Sequence, residues 1–366
     1  MIRYFVRCLG RWEPLLPTLV RNPPSCKALL LPATSKLQLP HPCPAHSRHL
    51  FSTSTLSTSK RIPNDLPIAD DFLKQVEKTV ERVLSQADAS SRNIMDLEPA
   101  GREALGVARH LDRRLVDLRR NNLCPTCWMQ RKHCICQQCK PVDTLLPKSK
   151  LGRIFLLMHH KEIGLKIDTA KLILASFPTK CRLVVGGIGP EYQDSMKELQ
   201  QAMEQNNKQC LVLFPDDSAK TFAEIVEQNH HGDSQQDVES STEDQESWDL
   251  IVIDGTWAQA RKLNARYLPE QAEGGPRRVQ LSPQAVAMLE RETTDELANA
   301  GHQLRRHCTT WRQVGTFEAT RLFLRDLLFH DYPDSSSPAR TPWGQMESYQ
   351  EIANEAARKE LEPPRL

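Results

Sequence analysis

Five of the eleven cysteines fall within the single stretch CPTCWMQRKHCICQQC at 124–139. A Cys-x-x-Cys pair and a Cys-x-Cys pair can each hand two thiolates to one ion from a tight turn. Cys124, Cys127, Cys134 and Cys136 are therefore a candidate tetrahedral zinc site. An iron–sulfur cluster would use the same thiolates, and disulfides or free thiols are the remaining readings; scattered single cysteines elsewhere argue against a disulfide framework. Cys139 is left over once four places are filled. A closed four-thiolate site has no open position for a substrate, so its expected role is to brace the chain around it.

A second group of polar residues stands where apolar runs stop. LIVI at 250–253 ends in Asp254, Gly255, Thr256 and Trp257. RIFLLM at 153–158 is followed by His159, His160, Lys161 and Glu162, with Asp168 and Thr169 shortly after. CRLVV precedes Gly186, Gly187 and Gly189, and CLVLF precedes Pro215, Asp216 and Asp217. In a parallel sheet, ligands bind beyond the carboxyl ends of the strands, so these positions converge on one edge. Each has a plainer alternative: His159 with Glu162 as a helix-start ion pair, the glycines as turns, Trp257 as a packed helix residue. Asp254 could hold magnesium in a phosphate-loop nucleotidase, but the chain has no Gly-x-x-x-x-Gly-Lys-Ser/Thr loop. No Gly-x-Gly-x-x-Gly follows a strand either, which excludes the dinucleotide fingerprint. Arg305 and Arg306, in HQLRRH, suit a phosphate or carboxylate as well as a solvated helix face.

The elements that must position these residues follow from hydrophobic periodicity. Short apolar runs at 153–158, 182–186, 210–214, 249–253 and 277–281 are too uniformly apolar for half-exposed strands. Helical spacing separates them near 168–177, 193–206, 219–229, 256–266 and 283–292, with a last helix at 316–329. The alternation predicts an α/β domain over 151–332, a mostly parallel sheet with helices on both faces. Before it, Phe72, Val76, Val80 and Val83, then Leu105, Ala108, Leu111, Leu115 and Leu118, predict two amphipathic helices in a 62–120 arm, followed by a cysteine knuckle at 121–141. Residues 229–247, almost without apolar side chains, read as a disordered acidic insertion, and 333–366 as a carboxyl-terminal tail.

Charge is segregated along the chain although the net value is only +2. Residues 101–166 hold 14 Lys and Arg against 5 Asp and Glu, an excess that favours a polyanionic partner. Residues 1–61 carry nine Lys and Arg, one acid and many Ser, Thr and Pro. That is transit-peptide chemistry and predicts a mitochondrial protein; a plain amino-terminal tail on a cytoplasmic or nuclear protein is the other reading. No apolar run approaches the roughly 20 residues of a membrane span.

Taken together, the residues resemble one family. Cys124-x-x-Cys127 with Cys134-x-Cys136, then His159-x-x-Glu162 with Thr169, then Asp254-Gly255-Thr256-Trp257 with Gln259-Ala260, and finally Thr316-Phe317-Glu318-Ala319, follow the order and approximate spacing of the DTW-domain family over about 120–330. The resemblance implies a fold related to the knotted SPOUT methyltransferases. It also implies a tRNA-uridine aminocarboxypropyltransferase, with S-adenosylmethionine as donor, tRNA as acceptor and 3-(3-amino-3-carboxypropyl)uridine as product. Two departures stand out. His160 replaces the proline of the usual His-Pro-x-Glu, and Gly315 replaces the serine of the usual Ser-Thr-Leu-Glu-Ala. They bear on affinity and substrate choice more than on reaction class.

Such a transfer needs the uridine N3 proton removed and the nucleophile aligned with carbon and sulfur. Asp254, partly buried at a strand end, is the expected base, and Trp257 the expected stacking face for a base. Gly255, Thr256, Thr169, Glu162, Thr316 and Glu318 are the expected cofactor contacts, and His159, Arg305 and Arg306 the expected substrate contacts. A methyltransferase using the same donor, or a non-catalytic RNA binder of the same fold, would share most of these features.

Overall fold

The computed structural model describes residues 69–89, 97–146, 150–205, 209–232, 247–270, 274–292, 315–328 and 341–361. The expected targeting segment, Arg305 and Arg306 lie outside the described residues.

Five strands form one parallel sheet: β1 Leu151–His159, β2 Cys181–Gly186, β3 Cys210–Leu213, β4 Trp248–Asp254 and β5 Arg277–Val279, in the order β2-β1-β4-β3-β5. Both faces are covered, which is why the strands read as unbroken apolar runs. On one face Leu156, Met158, Leu183, Val185, Leu250 and Val252 belong to a large core, and on the other Phe155, Leu157, Val184, Ile251 and Ile253 belong to a smaller one. Successive residues of β4 thus alternate between the two cores, as pleating requires. The outer edge of β2 is partnered by a side chain: Gln193 accepts from Val185 N at 2.6 Å and donates to Val185 O at 3.2 Å.

The helices in chain order are α1 Ala69–Ala89, α2 Pro99–Arg120, α3 Lys171–Ser176, α4 Asp194–Gln205, α5 Phe222–Gly232, α6 Trp257–Tyr267, α7 Pro283–Glu292, α8 Thr316–Leu328 and α9 Pro342–Leu361. Helices α4 and α6 cover the smaller core; α1, α2, α3, α8 and α9 pack on the larger one. In α1 and α2 the periodic residues Phe72, Val76, Val80, Val83, Leu105, Ala108, Leu111, Leu115 and Leu118 are all buried. Arg82 reaches from α1 to the start of α4 through a two-pronged pair with Asp194. No helix among the described residues is long and apolar enough to cross a membrane.

Three boundaries differ from the sequence reading. Helix α3 begins at Lys171, not at 168, because the Asp168 carboxylate takes the N–H groups of Ala170 and Lys171 and so caps the helix from outside. Helix α5 runs on to Gly232, through the first residues assigned to the acidic insertion. There Asn229 is held by a 2.7 Å bond from Arg277 of β5. The stretch read as a tail contains α9, which buries Met346, Tyr349, Ala353, Ala356 and Ala357. Its Tyr349 hydroxyl donates to Lys140 O at 2.9 Å, and the fully buried Glu360 side chain accepts from Gln130 N and pairs with Lys166 at 2.5 Å.

Candidate active site

The chain leaves β1 for β2 on one side and leaves β4, by way of α6, for β5 on the other. The carboxyl ends of β1 and β4, neighbours in the sheet, therefore open at a topological switch point, where ligands of open α/β sheets bind. Met158 pairs with Asp254 in register, so His159 and Asp254 emerge side by side.

Asp254 is 5% exposed and turns its carboxylate to the face covered by α8. Its Oδ1 accepts from the Thr316 hydroxyl at 2.8 Å, while Oδ2 is buried with no hydrogen-bond partner among the described residues. Burial pushes this carboxyl well above the usual carboxylate range, and the neighbouring charges of Asp168 and Glu162 push it the same way against the Thr316 bond. Asp168 is itself raised to about 6, by burial first and Glu162 in addition, with Lys171 offsetting part of the effect. Three carboxylates, from β4 and from the turn after β1, thus stand close enough to repel one another. A ligand bearing positive charge would relieve that repulsion.

Below this edge lies the cysteine knuckle. An antiparallel bridge between Leu123 and Gln130, and a left-handed Trp128 at φ 57°, fold the chain so that four thiols face one another. The sulfurs of Cys124, Cys127, Cys134 and Cys136 all lie within 4.8 Å of one another. Cys124 and Cys136 are 3.6 Å apart, Cys127 and Cys134 3.8 Å. Zinc–sulfur bonds of about 2.3 Å in a tetrahedron require sulfurs about 3.8 Å apart, so a single ion fits this quartet. A cluster of several iron atoms would hold the same thiolates farther apart. Cys139 stays outside the quartet, buried, with its thiol pushed up to about 12 by that burial.

Knuckle, β1 edge, Asp-Gly-Thr-Trp turn and α8 start thus occur in one order and meet in one region. The DTW domain model matches residues 121–346. This chain belongs to the DTW-domain family. The family is one of tRNA-modifying enzymes, and the match takes in the knuckle and the start of α9 along with the sheet. No curated protein and no solved structure matches the chain.

Within the DTW domain, the Asp-Gly-Thr-Trp turn serves two faces of the sheet. Gly255, at φ 151°, makes the turn, and a Cβ there would stand 3.3 Å from His159 Cβ. Thr256 caps α6: its hydroxyl accepts from Gln259 N while Gln259 Oε1 accepts from Thr256 N at 2.6 Å. Trp257 packs against the smaller core, its ring stacked 5.2 Å from that of Phe214, with the Arg261 guanidinium 5.8 Å from its centroid. Asp254 and Trp257, three residues apart, therefore face opposite sides. Gln259, which the sequence alone offers only as part of a motif, closes the capping box.

The remaining expected contacts divide. Thr316 and Glu162 reach the Asp254 carboxylate as a bond and as a neighbouring charge, and Thr169 lies beside Asp168. Glu318 turns instead to the buried Arg321, which binds its Oε2 at 2.9–3.0 Å. His159 stacks on His160 at 4.3 Å, and His160 meets the ring of His110 from α2 at 5.5 Å. Burial, with His160, Lys161, His110 and Lys262 adding positive charge, lowers His159 to about 4, so its imidazole is neutral at pH 7. Sequence reasoning placed Asp168 at this edge without a role and missed His110. Asp168 carried a signal, an acid after Glu162 between the β1 edge and an apolar helix; His110 carried none, being one polar position on a helix 49 residues upstream of His159.

Proposed function

We propose that this DTW protein transfers the 3-amino-3-carboxypropyl group of S-adenosylmethionine to N3 of a uridine in tRNA. The observation that carries the reading is the buried Asp254 carboxyl at the switch point of the sheet, with one oxygen held by Thr316 and the other without a hydrogen-bond partner among the described residues. A carboxyl with a raised pKa is suited to proton transfer near neutral pH. Its Oδ2 takes the N3 proton; the N3–carbon bond forms as the carbon–sulfur bond breaks, and the electron pair leaves on the sulfur of methylthioadenosine. The donor supplies a sulfonium, which is already a good leaving group. Asp168 and Glu162 suit the donor's ammonium and sulfonium charges, because like-charged carboxylates this close gain from a cation between them. Neutral His159 at the same edge suits a hydrogen bond to a uracil carbonyl. The thiolate quartet suits a zinc ion that braces the knuckle.

The test is mass spectrometry of tRNA nucleosides after incubation with purified protein and S-adenosylmethionine. The expected result is a uridine heavier by the aminocarboxypropyl group, with methylthioadenosine as by-product. S-adenosylhomocysteine with a methylated nucleoside would replace this reading with methyl transfer, and tRNA binding without any turnover would reduce the protein to an RNA binder.

A further inference from the structure

The basic block of the sequence does not act as one surface once folded. Lys166 is paired with Glu360, Arg153 with Asp249, Arg119 with Glu77, and Arg131, Lys132 and Lys140 belong to the knuckle. Other cations gather at the β1–β4 edge from three separate parts of the chain. Helix α2 lies against the loop after β2, where Val107 Cγ2 stands 2.7 Å from the position of a Cβ on Gly187. From the other side α6 closes on the same loop, where Leu263 leaves no room for a Cβ on Gly186. Two further links hold these helices to the loop and to each other: Tyr267 accepts from Gly187 N at 2.8 Å, and Arg266 of α6 pairs with Glu103 of α2 at 2.5 Å.

That packing places Arg113 and Arg114 of α2, Lys161 of the turn after β1 and Lys262 of α6 around the histidine cluster, with Arg261 next to Lys262 in α6. Burial and then Arg114, Arg113 and Lys161 lower His110, while Lys161 and Lys262 act on His159. Arg113, Lys161, Arg261 and Lys262 are exposed, and among the described residues none of the five is held in an ion pair. Cations assembled from distant segments, with no ion pair among the described residues, are what a phosphate backbone can answer. Trp257, beside Arg261, adds a flat ring at the rim.

We propose that the RNA backbone docks across the α2–α6 face, through Arg113, Lys161 and Lys262, and that the knuckle's Arg131, Lys132 and Lys140 are not part of the docking surface. This rests on the tRNA reading for the identity of the RNA, and it assigns the direction of approach: from the histidine side of the β1–β4 edge, where α2 and α6 close on the glycine loop.

The experiment measures binding of unmodified tRNA to the full chain by filter retention over a salt series. The variants are Arg113→Ala/Lys161→Ala/Lys262→Ala and, as control, Arg131→Ala/Lys132→Ala/Lys140→Ala. The first is expected to weaken binding at least about tenfold near 0.1 M salt and to flatten the log–log salt dependence by about 2–3, the removal of three phosphate contacts. The control is expected to match the parent. Donor binding by calorimetry shows that each variant is folded. Parent-like affinity in the first variant, or an equal loss in the control, overturns the docking face even if aminocarboxypropyluridine is made. A selective loss in the first variant, with no modified nucleoside from the parent protein, upholds the face and overturns the reaction instead.

Discussion

The Thr316 hydroxyl donates a 2.8 Å hydrogen bond to Asp254 Oδ1 across 62 residues of chain, tying the start of α8 to the end of the central strand. This bond favours the ionised carboxylate against burial and against Asp168. Thr316→Val therefore raises the Asp254 pKa further, and a base that must be ionised loses activity from the acid side. The acid limb of the pH–rate profile for tRNA modification should move to higher pH, with turnover near neutrality down about tenfold, and Thr316→Ser should restore it. An unmoved limb would show that Thr316 does not tune Asp254.

Removing the base itself has a larger effect. Asp254→Asn keeps the shape and the Thr316 contact but cannot take the proton, so product formation should fall by on the order of 10²–10⁴. Donor affinity, measured by calorimetry, should change by no more than a few fold. Parent-like turnover would take Asp254 out of the mechanism.

Binding of a cationic donor should release protons. Asp254 and Asp168 have raised pKa values in the free protein, and a positive charge brought beside them lowers both. Donor affinity should then increase as pH rises through about 6, where Asp168 titrates, and calorimetry in buffers of different ionisation enthalpy should report net proton release. Affinity that falls with rising pH would contradict the carboxylate cluster.

The same groups set opposing slopes in stability. With Asp168 raised to about 6, the native state binds more protons than the unfolded chain between about pH 4 and 6, so this contribution is lost as pH rises. His159, lowered to about 4, leaves the unfolded chain binding more protons up to about pH 6.5, so its contribution is gained as pH rises. Denaturant unfolding should show His159→Gln closing its gap to, or overtaking, the parent at low pH and Asp168→Asn doing so at high pH; the reverse order would refute the assignment.

The knuckle and α9 should stand or fall together. Cys124→Ser should abolish binding of one metal ion per chain, read by native mass spectrometry, and lower Tm by on the order of 10 °C. Glu360→Ala strips Gln130 N and Lys166 of a fully buried partner. It should cost about 2–3 kcal/mol, less than a wholly buried pair because Lys166 can turn to water. A Tm unchanged in Glu360→Ala would mean that α9 does not support the knuckle.

What could be read from the sequence alone was whatever is local or periodic. The thiolate quartet lies within 13 residues, so its spacing already reveals its geometry. The strands announce themselves because a sheet covered on both faces needs unbroken apolar runs, Ile154 to Met158 in β1 and Leu250 to Ile253 in β4, and the buried stripe of α2 recurs with the helical period. Asp254 was legible as a carboxylate at a strand end.

Its surroundings were not. Parallel pairing places β4 beside β1 although 88 residues separate the end of one from the start of the other, and no turn residue advertises such a pairing. Only the order β2-β1-β4-β3-β5 brings Asp168 and Glu162 to Asp254, and only the packing of α2 and α6 on the glycine loop gathers Arg113, Lys161 and Lys262. The pleat sets the face of Asp254, while the capped start of α6 sets that of Trp257, so the two, close in sequence, serve opposite faces. Side-chain chemistry is a property of residues one at a time and is visible in the sequence. The shared field of three carboxylates, and the cationic rim that α2 and α6 gather, exist only once distant segments share one edge of a sheet.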